Sequence, residues 1–413
     1  MKKPLIIISS LIVAAALAGA GAFSWRYLRG LGPVINPPPQ DIAQLLPPAA
    51  TPSGPSHNPA PFPLKLLPGF AISIFAQGLG SPRVLVQDPG GTLLASIPAQ
   101  GRVVALPDKN GDGIADRVVT VAQGLDQPHG LTFRRVNGKT RLYIAEVKQL
   151  AVYDYDEKSF KATNKKKIAD LPKGGRHRTR TMVFLPPPDG RLLISVGSSC
   201  NVCVEKDWRY AKVLAANPDG GNLKPFASGL RNAVFMALNP LTKQVWVTEM
   251  GRDYLGDNLP PDEINILEEG KNYGWPYCYG KRVHDDQFDP QGAKKDFCQQ
   301  TVPSYIDLPA HSAPLGLAFF PEAGWPPEYR HHLLVAFHGS WNRTTPTGYK
   351  VVRLKLDDKG RSLGIEDFIS GWLTPKGALG RPVDILIKRD GEIYLSDDKA
   401  GVVYRVVYER GPG

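Results

Sequence analysis

The sequence predicts an all-β chain: a six-bladed β-propeller carried behind an N-terminal hydrophobic segment. Three observations lead there. A pattern of short apolar strands returns six times; glycine and proline punctuate it throughout, at 42 and 39 of 413 residues; and no stretch after residue 65 has convincing helical periodicity. With 42% apolar and 22% charged residues, the chain has enough apolar side chain for a well-buried core.

The elements follow in chain order. Lys2 and Lys3 precede an uncharged run from Pro4 to Phe23, and Trp25, Arg26, Tyr27 and Arg29 come after it. Residues 1–30 therefore read as a signal peptide with a small-residue cleavage site at Ala20-Gly21-Ala22, or as a retained membrane anchor. No cysteine stands near it for a lipid attachment. Either reading predicts a periplasmic or cell-envelope protein. Residues 31–64 read as a proline-rich linker, with eleven prolines between Pro33 and Leu64. Residues 65–413 are expected to form the propeller, starting near "LPGFAISIFAQGL".

The repeats begin at Pro82, Pro128, Arg178, Leu230, Ala313 and Arg381, spaced 46, 50, 52, 83 and 68 residues apart. Each supplies an apolar strand, a Pro/Asp/Gly turn and further apolar strands, as in "RTRTMVFLPPPDGRLLISVG". Repeats of about 40–50 residues with four strands each are propeller blades, and longer spacings predict loop insertions. A β-sandwich is the competing architecture.

The first strand of each blade lines the channel, so the residues just before it gather at one mouth. Those positions hold Arg83; Gln127 and His129; His177, Arg178 and Arg180; Arg231 and Asn232; His311 and Ser312; Arg381 and Asp384. Crowded like charges are costly without a neutralising ligand, so the set predicts a cradle for a compact polyanion. The formal net charge of +11 also favours an anionic partner. Nucleic acid is excluded, because neither a dense Lys/Arg helix nor an aromatic RNA-binding signature is present.

Two acidic stretches suit a hard cation. "TEMGRDYLGDNLPPDEIN" offers Glu249, Asp253, Asp257, Asp262 and Glu263 beside Gly251. "DKNGDGIAD" puts Asp108, Asn110, Asp112 and Asp116 at loop positions 1, 3, 5 and 9 of an EF-hand, with Gly113 at 6, but Val119 stands at 12. Each stretch could equally be a polar turn. The four cysteines, Cys200, Cys203, Cys278 and Cys298, allow three pairings. The local ones, Cys200–Cys203 and Cys278–Cys298, are the simplest, and no second CxxC completes a zinc site.

The stretches "GGRHRTRTMVF…DGRLLISVGSSCNVC", "SGLRNAVFMALNP", "DEINILEEGKNYGWPYC", "HSAPLGLAFF" and "GRPVDILIKRDGEIYLSD" resemble the glucose/sorbosone dehydrogenase family. These are exported six-bladed propellers that use pyrroloquinoline quinone (PQQ). The resemblance spans roughly residues 66–408 and is strongest to the L-sorbosone (pyranose) dehydrogenase branch. It implies that His177 is the general base, and that Arg231 and Asn232 hold the ortho-quinone, Arg231 also stabilising charge built up on reduction. Arg381 would take a second carboxylate, with His129 and His311 as further cofactor contacts; the cradle adds Gln127 and Arg178. Gly251 and Arg252 would offer carbonyls to Ca²⁺, with Asp253 in the same set, and Trp341 and Tyr254 would line the sugar side.

There are departures. A family lysine is replaced within "FHGSWNR", leaving His338 or Arg343; a paired arginine becomes Val383; Met250 replaces a polar side chain. The expected function is oxidation of an aldose or sugar aldehyde such as L-sorbosone, with electrons passed on to a cytochrome or membrane quinone, since no CxxCH haem motif is present. The alternatives are a Ca²⁺-dependent lactonase-type hydrolase, which needs carboxylates converging in the channel, and a non-catalytic envelope binding propeller.

Overall fold

The computed structural model describes residues 3–28, 30–35, 59–60 and 63–409; most of the proline-rich linker lies outside the described residues. Leu93–Ile97, Leu192–Val196, Val245–Glu249 and Leu333–Phe337 are buried along their whole length. A strand covered on both faces is mostly apolar at successive positions rather than alternating, and the buried polar members Ser96, Ser195, Thr248 and Glu249 each make a hydrogen bond. They are the second strands of blades stacked face to face around a central axis. Each of the six blades is a four-stranded antiparallel meander. Their inner strands are Leu85–Gln87, Leu131–Val136, Met182–Phe184, Ala233–Leu238, Pro314–Phe319 and Pro382–Ile387, one from each sequence repeat.

The outermost strand of blade 6 comes from the start of the domain. Phe70–Ala76 pairs antiparallel with Val402–Tyr408, with Phe70 opposite Tyr408. "FAISIFA" therefore closes the ring rather than opening a blade of its own. Lys65–Leu66 adds a fifth strand to blade 5, and Pro59, within the predicted linker, bridges Ser73. On the outer edge of blade 2, Lys161–Asp170 is mostly exposed and rich in lysine, which discourages edge-to-edge association. The long spacing between the fourth and fifth repeats is an insertion within blade 4, between Asp262–Ile266 and Ile306–Leu308. It houses the hairpin Cys278–Tyr279 and Val283–His284 and the Cys278–Cys298 disulfide.

Neighbouring blades are stitched by short polar side chains. Ser396 Oγ donates to the Arg83 carbonyl at 2.6 Å, and Thr248 Oγ1 to the Leu315 carbonyl at 2.8 Å. The buried Asp384 carboxylate accepts from the Leu85 amide at 2.8 Å, tying blade 6 to blade 1.

At the N-terminus, Lys3–Tyr27 is a helix. Among the described residues, no helix is long and apolar enough to cross a membrane. The end of this helix rests on the propeller: the Phe23 and Tyr27 rings lie 5.9 and 5.1 Å from that of Tyr254. The loop Asp108–Asp116 is built as turns, in which Asp108 accepts from the Gly111 and Gly113 amides and Asp112 from Ile114.

Candidate active site

In a meander, the approach to each inner strand and the connection from second to third strand fall at the same end of the blade. That end brings 176–180, 198–203, 231–232, 250–253, 311–313 and 341–343 together, around a cavity of about 250 Å³. Its walls include Arg176, His177, Arg231, Asn232, Gly251, Asp253, Asp262, His311, Trp341 and Asn342.

His177 Nδ1 lies 3.0 Å from the Ser198 carbonyl and 2.9 Å from Ser198 Oγ. A carbonyl only accepts, so Nδ1 carries the proton and the lone pair resides on Nε2. Burial, and then the charge of Arg231, pull the imidazole well below its ordinary range, so the ring is neutral near pH 7. Arg180, fully buried, donates to the His177 and Thr179 carbonyls and holds this loop; burial brings its guanidinium down to about 10. Gly197 admits the arrangement, since a Cβ there would sit 2.6 Å from that of His177 and 2.7 Å from Asn232 Oδ1. That Asn232 oxygen is buried and has no hydrogen-bond partner.

Arg231 is buried and saturated. It donates to the Asn201 carbonyl and Oδ1 (both 2.8 Å), to the Met250 and Gly251 carbonyls (3.2 and 2.8 Å) and to Asp253 Oδ2 (3.1 Å). Asp253 also accepts from Arg176 at 2.8 Å and Asn342 at 2.9 Å. Asp262 accepts from the Gly251 and Ala313 amides, yet burial pushes its carboxyl up to about 7.

Several expected residues stand elsewhere. Arg178 and Gln127 are exposed and line no wall of the cavity; of the arginines in "RHRTR", Arg176 lines it, beside His177. Arg343 ties loops together through Ala310 and Asn258, while its neighbour Asn342 faces inward. Arg252 turns away into a buried ion pair with Asp285 at 2.8 Å, leaving only its backbone for a metal. His129 is buried, between the Arg83 guanidinium (3.3 Å) and the Arg180 carbonyl (3.2 Å). Arg381 donates to the His338 and Gly339 carbonyls, in a separate cluster where Asp398 pairs with Arg83 at 2.5 Å and meets His338 at 2.9 Å. His311 lines the cavity and donates to the Gly256 carbonyl at 2.7 Å.

The expectation of a bare cationic ring is therefore corrected: Asp253 and Asp398 neutralise its arginines from within. Asp253 and Asp262 line the same cavity, so carboxylates share a mouth that the sequence reads as basic. Asp262 is one of the carboxylates the sequence offers to a hard cation, whereas Asn201 and Asn342 carry no signal of their own: Asn342 lies within "FHGSWNR" and Asn201 between the two cysteines of "SCNVC". The structure pairs Cys200 with Cys203 and Cys278 with Cys298, the simplest pairing from the sequence.

Comparison with known proteins gives concordant results. A family model described as TrAA12-like matches residues 64–409. An uncharacterized protein of Borreliella burgdorferi is 33% identical over 361 residues, covering 84% of this chain and 91% of its own. The pyrroloquinoline quinone-dependent pyranose dehydrogenase of Coprinopsis cinerea is 27% identical over 406 residues; the match covers 83% of this chain but 54% of that protein, about half its length. Among solved structures, the holo form of that enzyme's PQQ domain has a TM-score of 0.72 at 22% identity, covering 84% of this chain and 98% of the other. The calcium structure of the Trichoderma reesei family AA12 enzyme gives 0.72 at 21% identity with the same coverage. At these identities the solved structures establish the shared fold.

Proposed function

The chain belongs to the TrAA12-like family, and on that premise we propose that it is a PQQ-dependent dehydrogenase oxidising an aldose or sugar aldehyde. What carries this is the convergence of a neutral His177, Arg231 and the unpartnered Asn232 oxygen on one cavity. The Coprinopsis relative, named as a PQQ-dependent pyranose dehydrogenase, supports the cofactor and substrate class. A preference resembling that for L-sorbosone belongs to the same proposal and rests on "RHRTRT" and "GSSCNVC". So does an envelope location, which rests on the apolar run before Arg26.

The residues present fit both groups. PQQ is a planar tricarboxylate with an ortho-quinone. Arg176, which lines the cavity and pairs through one nitrogen with Asp253, suits a carboxylate; Arg231, its N–H groups already engaged, lends positive charge; and the Asn232 amide suits the quinone edge. The Met250 and Gly251 carbonyls and the Asp262 carboxylate are hard oxygen donors of the kind Ca²⁺ takes. When bound, the quinone supplies a two-electron acceptor and Ca²⁺ a Lewis acid.

The chain does the rest. A sugar hydroxyl would donate to His177 Nε2, which would take its proton as the carbon is oxidised to a carbonyl, the hydride being what a bound quinone would accept. The Ser198 carbonyl, fixed on Nδ1–H, stabilises the imidazolium so created. Trp341 offers an apolar face to the sugar ring, with Tyr254 set edge-on at 6.0 Å.

The test is to mix cofactor-free protein with PQQ and Ca²⁺ and follow dye reduction across a sugar panel. Quinone-dependent oxidation of aldoses or sugar aldehydes is expected. Lactone hydrolysis that needs no quinone, or failure to bind PQQ at all, would overturn the reading.

A further inference from the structure

Asn201 occupies an unusual place. It lies inside the four-residue loop closed by the Cys200–Cys203 disulfide, and its side chain spans two elements of the candidate site. Its Oδ1 accepts from Arg231 Nη2 at 2.8 Å and from the Asp253 amide at 2.9 Å, and its Nδ2 donates to the Asp253 carbonyl at 3.1 Å. Its own carbonyl takes Arg231 Nε at 2.8 Å. The partners fix the orientation of the amide, because only the oxygen can receive the two donors. The same loop reaches the base: Ser198 Oγ, against His177 Nδ1, donates to the Cys200 carbonyl at 2.6 Å.

We propose that Asn201, held by the Cys200–Cys203 ring, is the positioning residue that sets Arg231 and the Gly251–Asp253 backbone in register across the cavity. It acts through Arg231 and Asp253, and so touches neither substrate nor cofactor. A free four-residue loop would lose backbone entropy each time it made these contacts; the disulfide removes most of that loss in advance. The clamp explains how a guanidinium and two backbone carbonyls from different connections of blades 3 and 4 keep one geometry without a ligand. Its meaning for quinone binding rests on the function proposed above, whereas the clamp itself does not.

Two measurements separate the claims. In Asn201→Ala, hydrogen–deuterium exchange across residues 250–256 should rise, because the Asp253 amide loses its acceptor, while blades 1 and 6 stay protected and the melting curve keeps its shape. Calorimetric affinity of the Ca²⁺-loaded protein for PQQ should fall by about 10–100-fold, the usual cost of losing an outer partner of a ligand-binding group. The Cys200→Ser/Cys203→Ser double variant should reproduce both effects, and Asn201→Asp, which keeps the double acceptor, should restore most of the protection. Unchanged exchange in Asn201→Ala would overturn the clamp whatever the cofactor. If wild type binds no PQQ but exchange rises as expected, the clamp stands and the dehydrogenase reading falls.

Discussion

A histidine that stays unprotonated beside three arginines is suited to accepting a proton. His177 is buried, and charging it would place a fourth cation against Arg231, Arg176 and Arg180, so its proton affinity is low. In the cofactor-free protein, its ring resonances should therefore remain those of neutral imidazole as the pH falls through 6.5, titrating only well below it. A midpoint at or above 6.5 in a ¹³C-histidine NMR titration would contradict the burial. His177→Ala should bind PQQ within a few-fold of wild type and lose roughly 10²–10⁴ in kcat, the usual contribution of a positioned base. Normal sugar oxidation by that variant would remove His177 from the mechanism. Single positions were legible only in part. Residues 171–181 form no strand and Gly174 and Gly175 take positive φ, so no period-two rule assigns faces in "RHRTR"; adjacent Arg176 and His177 both line the cavity. Arg176 and Asn342 face the cavity where Arg178 and Arg343 were expected.

Between elements, the contacts that matter are few and polar. Asp384 accepts from the Leu85 amide of the next blade as well as from the Ile385 amide. An asparagine has one acceptor oxygen and would set an N–H against one of these donors. Asp384→Asn should therefore cost about 1–3 kcal/mol, the desolvation penalty of an unsatisfied buried group. Chemical denaturation reads this as a lower midpoint, with PQQ affinity unchanged. An unaltered midpoint would mean that the blade 6–blade 1 contact is not held by this carboxylate. Inner strands were readable because each repeat announces one with a turn and an apolar run. The closing strand Phe70–Ala76 was recognisable as a strand, but not as the partner of Val402–Tyr408, because alternation along a segment says nothing about a mate at the far end of the chain.

Over the whole molecule, charge is where composition misleads most. A net +11 and a run of arginines before the inner strands suggested an unpaired cationic ring. Folding instead brings Asp253 and Asp398 in from connections remote in sequence, so the arginines are oriented before any ligand arrives. Reconstitution by PQQ and Ca²⁺ should thus proceed without large rearrangement of the cavity walls. The number of blades could be counted from the repeats, but this internal neutralisation depends on three-dimensional proximity alone. Ring closure by the two chain ends carries a further implication for biosynthesis. A ribosome must make Val402–Tyr408 before the circle can shut, so every shorter nascent chain presents Phe70–Ala76 as an unmated edge, and that interval is when the protein most needs a chaperone.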